Sequence, residues 1–280
     1  MHDQQRCGVG DEQLALFRTH TDDVYAVGLG FAVALDKPGG FIGDPDVMDT
    51  WATSSLSPQI AGQWEEDDDL FGRLFPFDMR PQGHDIIRTW LFSTVVRAHF
   101  EHQSVPWTDT ALSGWILDPD RKKMGKSTGN ALVPTDLLMQ HGSDAVRYWA
   151  ANGRLGTDTA FDEGQMKVGR RLAVKLLNAS KFVLAFPEAP DGPVTEALDL
   201  SLLARLSDVI AEATKAFDAW DYTRSLERTE SFFWDFCDDY IELVKTRAYG
   251  EGPEAESAAR TLRLALGVLL RLFAPILPFA

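Results

Sequence analysis

Four stretches in the second half of this chain carry apolar residues three and four positions apart: Gly164–Phe186, Leu200–Trp220, Thr223–Ala248 and Glu254–Phe273. In the second of them Leu203, Leu206, Ile210, Ala213 and Phe217 fall on one stripe. That spacing is the period of an α-helix with one buried face. Successive amphipathic helices bury such stripes by packing on one another, so the segment predicts a helical bundle. Pro187–Pro193 reads as the linker before it, and places a domain boundary near residues 187–195.

The chain ahead of residue 164 has a different rhythm. Phe75–Gly83 reads as a short strand and turn, and Asp85–Phe100 as a helix carrying Ile86, Trp90, Leu91, Val95 and Ala98 on one side. Ala111–Leu117 reads as a second strand, closed by the turn pair Asp118-Pro119. Strand, helix, strand and a charged glycine-containing loop make one half of a parallel α/β sheet. Ligands of such sheets lie beyond the carboxyl ends of the strands, where Gly83–Asp85 and Arg121–Asn130 fall. Past the loop, Thr135 or Asp136 caps a helix over Leu137–Gln140, Gly142 stops it, and Ser143 caps Asp144–Ala151. Lys37–Thr53 reads as an ordered loop, and residues 1–36 as two short strands around Thr19–Asp23.

Composition narrows the class. With 45% hydrophobic and 25% charged residues over 280 positions, a disordered, collagen-like or disulfide-scaffold chain is excluded. Cys7 and Cys237 stand far apart with no zinc-type spacing, which predicts no metal site and a reducing, cytoplasmic compartment. The most apolar segment, Thr261–Ala280, is interrupted by Arg263, Arg271, Pro275 and Pro278 and reads as a buried helix of a soluble protein, with no membrane partner. The net charge of −15 is concentrated: the first 80 residues hold 5 Lys/Arg against 15 Asp/Glu, and the acidic run Glu65–Asp69 reads as a solvated loop. A polyanion can therefore still bind elsewhere, and Lys167, Arg170, Arg171, Lys175 and Lys181 lie on one predicted helix, Gly164–Phe186, without an acid.

Chemistry concentrates in Asp118-Pro-Asp-Arg-Lys-Lys-Met-Gly-Lys-Ser-Thr-Gly-Asn130. Arg121, Lys122, Lys123 and Lys126 stand within six residues, beside Gly125, Ser127 and Gly129. A glycine-hinged lysine loop can close on a polyphosphate and neutralise charge as a phosphoanhydride is attacked. The spacing is not that of a P-loop. By composition alone an exposed basic loop is the favoured reading.

Lys123-Met-Gly-Lys-Ser127 resembles the second signature of the class I aminoacyl-tRNA synthetases. Four further blocks, Gly43–Trp51, Gly83-His-Asp-Ile-Ile-Arg-Thr-Trp90, Ser113–Asp120 and Gly142–Trp149, resemble the valyl-tRNA synthetases in the same order. The likeness runs over about Pro38–Ala280. It implies half of a Rossmann-like class I nucleotide-binding fold joined to a helical anticodon-binding domain. Residues 37–186 would hold the C-terminal half of the catalytic domain, and 187–280 an incomplete anticodon domain. Residues 1–36 are left as a possible remnant of an editing domain. Lys126 and Lys123 would be catalytic. Lys126, Gly83, Asp85 and Ser127 would meet ATP, supplied with Mg2+ as a substrate. Trp51, Ile86 and Trp90 would line the valine pocket, while Lys167, Arg170, Arg171 and Lys175 would face tRNA(Val).

Three departures qualify that implication. Gly125 stands where the signature has serine, which removes a hydroxyl donor and loosens the loop. The first class I signature is missing, and His99-Phe-Glu-His102 reads as surface histidines rather than a substitute. The chain also ends at Ala280, within the expected helical domain. The expectation is a partial valine–tRNA ligase truncated at both ends, inactive alone, with a separate N-terminal half as a possible partner. The alternative is a non-catalytic tRNA-binding fragment or paralogue.

Overall fold

The computed structural model describes residues 50–125 and 129–280. The readings made for residues 1–49, and for Lys126 and Ser127, lie outside the described residues. The chain divides into two compact units, one comprising residues up to Asp78 with Ile86–Thr108, the other Met79–Asp85 with Asp109–Ala280.

In the first unit α1 (Thr50–Ser54), α2 (Ser57–Ala61) and α3 (Asp68–Leu74) precede β1 (Phe77–Gly83). The acidic run is not a loop throughout: the Asp67 carboxylate caps α3 by accepting from the Leu70 amide at 2.9 Å. Asp68 and Asp69 then sit in its first turn, where the helix dipole favours negative charge. The helix expected over Asp85–Phe100 starts less regularly than its apolar period suggests. A 3₁₀ turn at His84–Ile86 and a π turn at Ile87–Leu91 lead into α4 (Phe92–His102). There the Phe92 amide reaches back to the Ile87 carbonyl, and such π turns recur at functional sites.

The reading of His99 and His102 as a surface pair needs a correction. His99 is exposed, but His102 is half-buried, its ring 4.7–5.2 Å from those of Phe75, Trp64 and Phe71. The aromatic residues of α3 and its flanks, scattered in the sequence, supply that packing.

The second strand expected over Ala111–Leu117 is two strands, β2 (Trp107–Ser113) and β3 (Ile116–Leu117), separated at Gly114. The cause is a close approach of backbone: a Cβ on Gly114 would lie 2.3 Å from the Thr157 carbonyl carbon and oxygen. The Trp115 amide meanwhile donates to the Asp158 carboxylate at 2.8 Å. Gly114→Ala is expected to cost about 1–3 kcal/mol by forcing these segments apart. Chemical denaturation checks it, and an unchanged midpoint would contradict the close approach.

β1 pairs with β2, with Phe77 bonded to Pro106, Thr108 to Asp78 and Ser113 to Gln82. Partner numbers rise together, so the pair is parallel. β3 pairs in parallel with β4 (Thr159–Ala160), with Ile116 opposite Thr159 and Leu117 opposite Ala160. These short parallel pairs with an intervening helix bear out the mixed α/β region.

The remaining helices of the second unit are α5 (Pro134–His141), α6 (Ser143–Ala151), α7 (Glu163–Leu184), α8 (Ala197–Asp218), α9 (Tyr222–Trp234), α10 (Ile241–Ala248) and α11 (Pro253–Phe273). A π-helical segment, Asp235–Tyr240, joins α9 to α10. Neither cap expected around Gly142 forms as a side-chain bond. Pro134, already fixed near helical φ, opens α5, and Gly142 at φ 87° both ends it and precedes α6. The helices share one core containing Leu172, Leu176, Phe233, Phe236, Leu262, Leu269 and Phe273; of the stripe expected on α8, Leu206 and Ala213 are buried, Leu203 and Phe217 pack partly against the core, and Ile210 is exposed. Gly169 of α7 lies against Tyr148 of α6, where a Cβ would come within 2.6 Å of the tyrosine Cβ.

A polar cluster sits inside this helical region. Asp199 is fully buried and accepts from Tyr240 Oη at 2.7 Å, Ser257 Oγ at 2.7 Å and both terminal nitrogens of Arg247 at 2.5 and 2.9 Å. At the linker, Arg260 donates to the Pro190 and Pro193 carbonyls at 2.7 and 3.0 Å, which holds the segment to α11.

Candidate functional site

The lysine loop begins as a tight hairpin turn. The Asp118 amide donates to the Lys122 carbonyl at 2.8 Å and the Arg121 amide to the Asp118 carbonyl at 2.9 Å. Arg121 is left-handed, with φ 62°, and Leu117 pairs antiparallel with Lys123. Proline after Asp118 and a left-handed residue closing a three-residue loop account for this geometry. The Asp118 carboxylate accepts from the Lys122 amide at 2.8 Å and the Asn130 side-chain amide at 2.9 Å. Hydrogen bonds from Lys122 and then Asn130 hold the Asp118 carboxyl below the usual carboxylate range. Asn130 also accepts from the Gly125 amide at 2.9 Å and donates to the Lys123 carbonyl at 3.3 Å.

Lys123 leaves this turn toward the end of β1. Its Nζ lies 4.0 Å from the centre of the Trp115 ring and 3.8 Å from Asp85 Oδ2. On the same indole, His84 packs at 4.7 Å between ring centres, and His84 Nδ1 lies 3.1 Å from the Ser113 carbonyl oxygen. Gly83 makes room for the fold-back, because a Cβ there would meet Asp85 Oδ1 at 2.8 Å. Two segments 38 positions apart, Gly83–Asp85 and Lys123, thus converge beyond the strand ends, within the second unit. The ammonium and carboxylate are both about half-exposed. The ion pair is therefore weak, and the lysine is free to exchange Asp85 for a stronger anion.

Trp51, Ile86 and Trp90 belong to the first unit and are all half-buried. The Trp90 indole N–H donates to the Ser54 carbonyl at 2.8 Å, which orients its ring against α1. The helix expected to be free of acid starts one residue earlier than its pattern suggested, at Glu163. Glu163 engages Lys167 at 3.2 Å, Lys175 meets Asp238 at 2.9 Å, and Arg170 donates to the Gln140 carbonyl at 2.9 Å. Arg171 and Lys181 are exposed, with no ion pair among the described residues. Arg154, Arg224 and Arg228 line an open cleft with Glu227 and Ser231. Sequence reasoning gave no role to Trp115, Asp118 or Asn130. The Asp-Pro turn signal marked Asp118 as a bend, but a neutral amide twelve positions away carries no periodic or charge signal. Among the described residues there is no cluster of groups able to hold a metal ion. None of the described helices is long and apolar enough to cross a membrane.

Two short parallel strand pairs, a lysine-bearing turn beyond their ends and a following set of helices make a mixed α/β region joined to a helical one. The chain belongs to the class I tRNA synthetases (I, L, M and V), whose family pattern matches residues 19–162, and residues 199–280 match the anticodon-binding domain of tRNA ligases. Within that class the chain is 67% identical over 248 residues to the valine–tRNA ligase of Thermobifida fusca (strain YX), covering 87% of this chain and 28% of that protein. It is 66% identical over 252 residues to the valine–tRNA ligase of Salinispora arenicola (strain CNS-205), covering 87% and 29%. The chain thus spans less than a third of the length of these curated relatives.

Solved structures show the same fold at low identity. The agnB2 LeuRS of Agrobacterium radiobacter K84, in a ternary complex with tRNA and LeuAMS, superposes with a TM-score of 0.69 at 18% identity, over 88% of this chain and 32% of that one. Methionyl-tRNA synthetase of Mycobacterium tuberculosis bound by methionyl-adenylate gives 0.64 at 22%, over 82% and 48%.

Proposed function

We propose that this chain is the portion of a valine–tRNA ligase that supplies the phosphate-neutralising side of the activation site and the tRNA-facing helices. In the reaction it serves, the valine carboxylate attacks the α-phosphorus of ATP, the bond to the pyrophosphate oxygen breaks, and valyl-adenylate forms before transfer to tRNA. The observation that carries the reading is the convergence of Lys123 on Asp85 and Trp115 beyond the strand ends. Lys126 and Lys123 neutralise charge developing on the departing pyrophosphate. Gly83, Asp85 and Ser127 border the ATP, which enters with Mg2+. Trp51, Ile86 and Trp90 offer apolar faces to the valine side chain, where one methylene is worth about 1–3 kcal/mol of discrimination.

Residues 37–186 form the catalytic part in this reading, 187–280 the anticodon-binding part, and 1–36 a possible remnant of an editing domain. The setting is the cytoplasm. Without the first class I signature among its 280 residues, the chain alone is inactive and works with an N-terminal portion that carries it. Valine-dependent ATP–pyrophosphate exchange by the purified chain above a Lys126→Ala control would overturn this. The missing signature also favours a second reading, a tRNA-binding fragment without catalysis, which predicts that no N-terminal portion restores exchange.

For tRNA the geometry ranks the cations. Lys167, Arg170 and Lys175 have partners within the fold, and Arg171, on the same helix, has no ion pair among the described residues. Arg171→Glu is expected to weaken tRNA binding roughly tenfold at low salt and to reduce the salt slope by about 1. Lys175→Glu has a smaller direct effect on binding. Filter binding across a salt series checks this, and equal affinities for wild type and Arg171→Glu would remove α7 from the interface.

A further inference from the structure

We propose that Asp118 and Asn130 form a two-residue clamp that positions the lysine loop, with Asn130 acting through the backbone of Lys123 and Gly125. The two side chains meet at 2.9 Å across twelve positions. Each also bonds the loop between them: Asp118 accepts from the Lys122 amide, and Asn130 accepts from the Gly125 amide and donates to the Lys123 carbonyl. The Asp118–Asn130 bond and these three contacts to backbone groups thus tie down the turn around Lys122–Gly125, whose residues are exposed or only half-buried. The chemistry is directional. Asn130 supplies an acceptor to one amide and a donor to both a carboxylate and a carbonyl, a combination that aspartate in its place cannot offer. With the backbone of Lys123 fixed, its ammonium is confined to the neighbourhood of Trp115 and Asp85. Glycine at 125 makes such a fixture more necessary, because no side chain there restricts the loop.

The clamp deepens the reading of this loop as a phosphate-neutralising element, and its test separates the two. Hydrogen exchange of the Lys122 and Gly125 amides is measured in the full chain, with amides of α11 reporting the fold. Asn130→Asp opposes two carboxylates and is expected to raise exchange at both amides roughly tenfold or more, with α11 unchanged. The double variant Asp118→Asn/Asn130→Asp rebuilds the donor–acceptor pair with the roles exchanged. It is expected to return both amides to within about threefold of wild type, a rescue that generic loosening of the loop would not give. Unchanged exchange in Asn130→Asp, a double variant no better protected than the single one, or loss of α11 protection would each overturn the clamp. Addition of MgATP to the wild-type chain mixed with an N-terminal portion bearing the first signature is the separate arm. No added protection of the loop there counts against the phosphate reading and leaves the clamp to be judged on the variants.

Discussion

Replacing Asp199 by alanine is expected to destabilise the second unit by about 3–5 kcal/mol, the cost of breaking a buried ion pair from one side. Asp199 is fully buried, while Arg247 keeps only 20% of its side chain exposed and, besides Asp199, donates to the Glu254 carbonyl at 3.0 Å. Truncation would remove the ion-pair partner of that guanidinium, leaving it the Glu254 carbonyl, and would take from Tyr240 Oη and Ser257 Oγ the acceptor each now has. Burial alone would raise the Asp199 carboxyl. The bonds from Arg247, Ser257 and Tyr240 outweigh burial and hold it below the usual carboxylate range. A carboxyl lowered in the folded state contributes its full stability above its unfolded value, and loses that contribution as pH falls through the folded one. Asp199→Ala should therefore flatten the acid side of the stability profile as well as lower it at neutral pH. A variant as stable as wild type near pH 7 would mean that the cluster adds nothing to folding.

The second large effect concerns catalysis. In a valine–tRNA ligase carrying this segment, Lys126→Ala is expected to lower the rate of adenylate formation about 10²–10³-fold, as for loss of a group that meets charge only in the transition state. The effect should fall on kcat rather than on the KM for ATP, because the interaction strengthens as pyrophosphate departs. Lys123→Ala should cost less, since its ammonium shares Asp85 and Trp115 with the resting loop. A Lys126→Ala rate within threefold of wild type would remove that lysine from the chemistry.

The helical half was the most legible part of the sequence. Leu206 and Ala213 are buried where three- and four-residue spacing put them, because a buried stripe must recur with the helix, although Ile210 of the same stripe is exposed. The strand boundaries were less so. Ala111–Leu117 looks continuous until Thr157, forty residues on, presses its backbone against Gly114. The one-sided charge of α7 was read correctly as composition, but Asp238 is 63 positions from Lys175, and Glu163 lies just before the pattern began. Those partners come from tertiary packing, which a local window does not contain. The roles given to the signature lysines rest on resemblance, whereas the Asp118–Asn130 bond had no signal in the sequence, since two small polar residues in a loop look alike whether paired or solvated.

The most direct test of the central claim is a transplant. In the valine–tRNA ligase of Thermobifida fusca, the 248 matched residues are replaced by those of this chain, and valine-dependent ATP–pyrophosphate exchange is measured. The account predicts exchange with valine well above that with isoleucine, abolished by Lys126→Ala and absent from the 280-residue chain alone. A folded transplant that exchanges no pyrophosphate with valine, or one indifferent to Lys126, would contradict it.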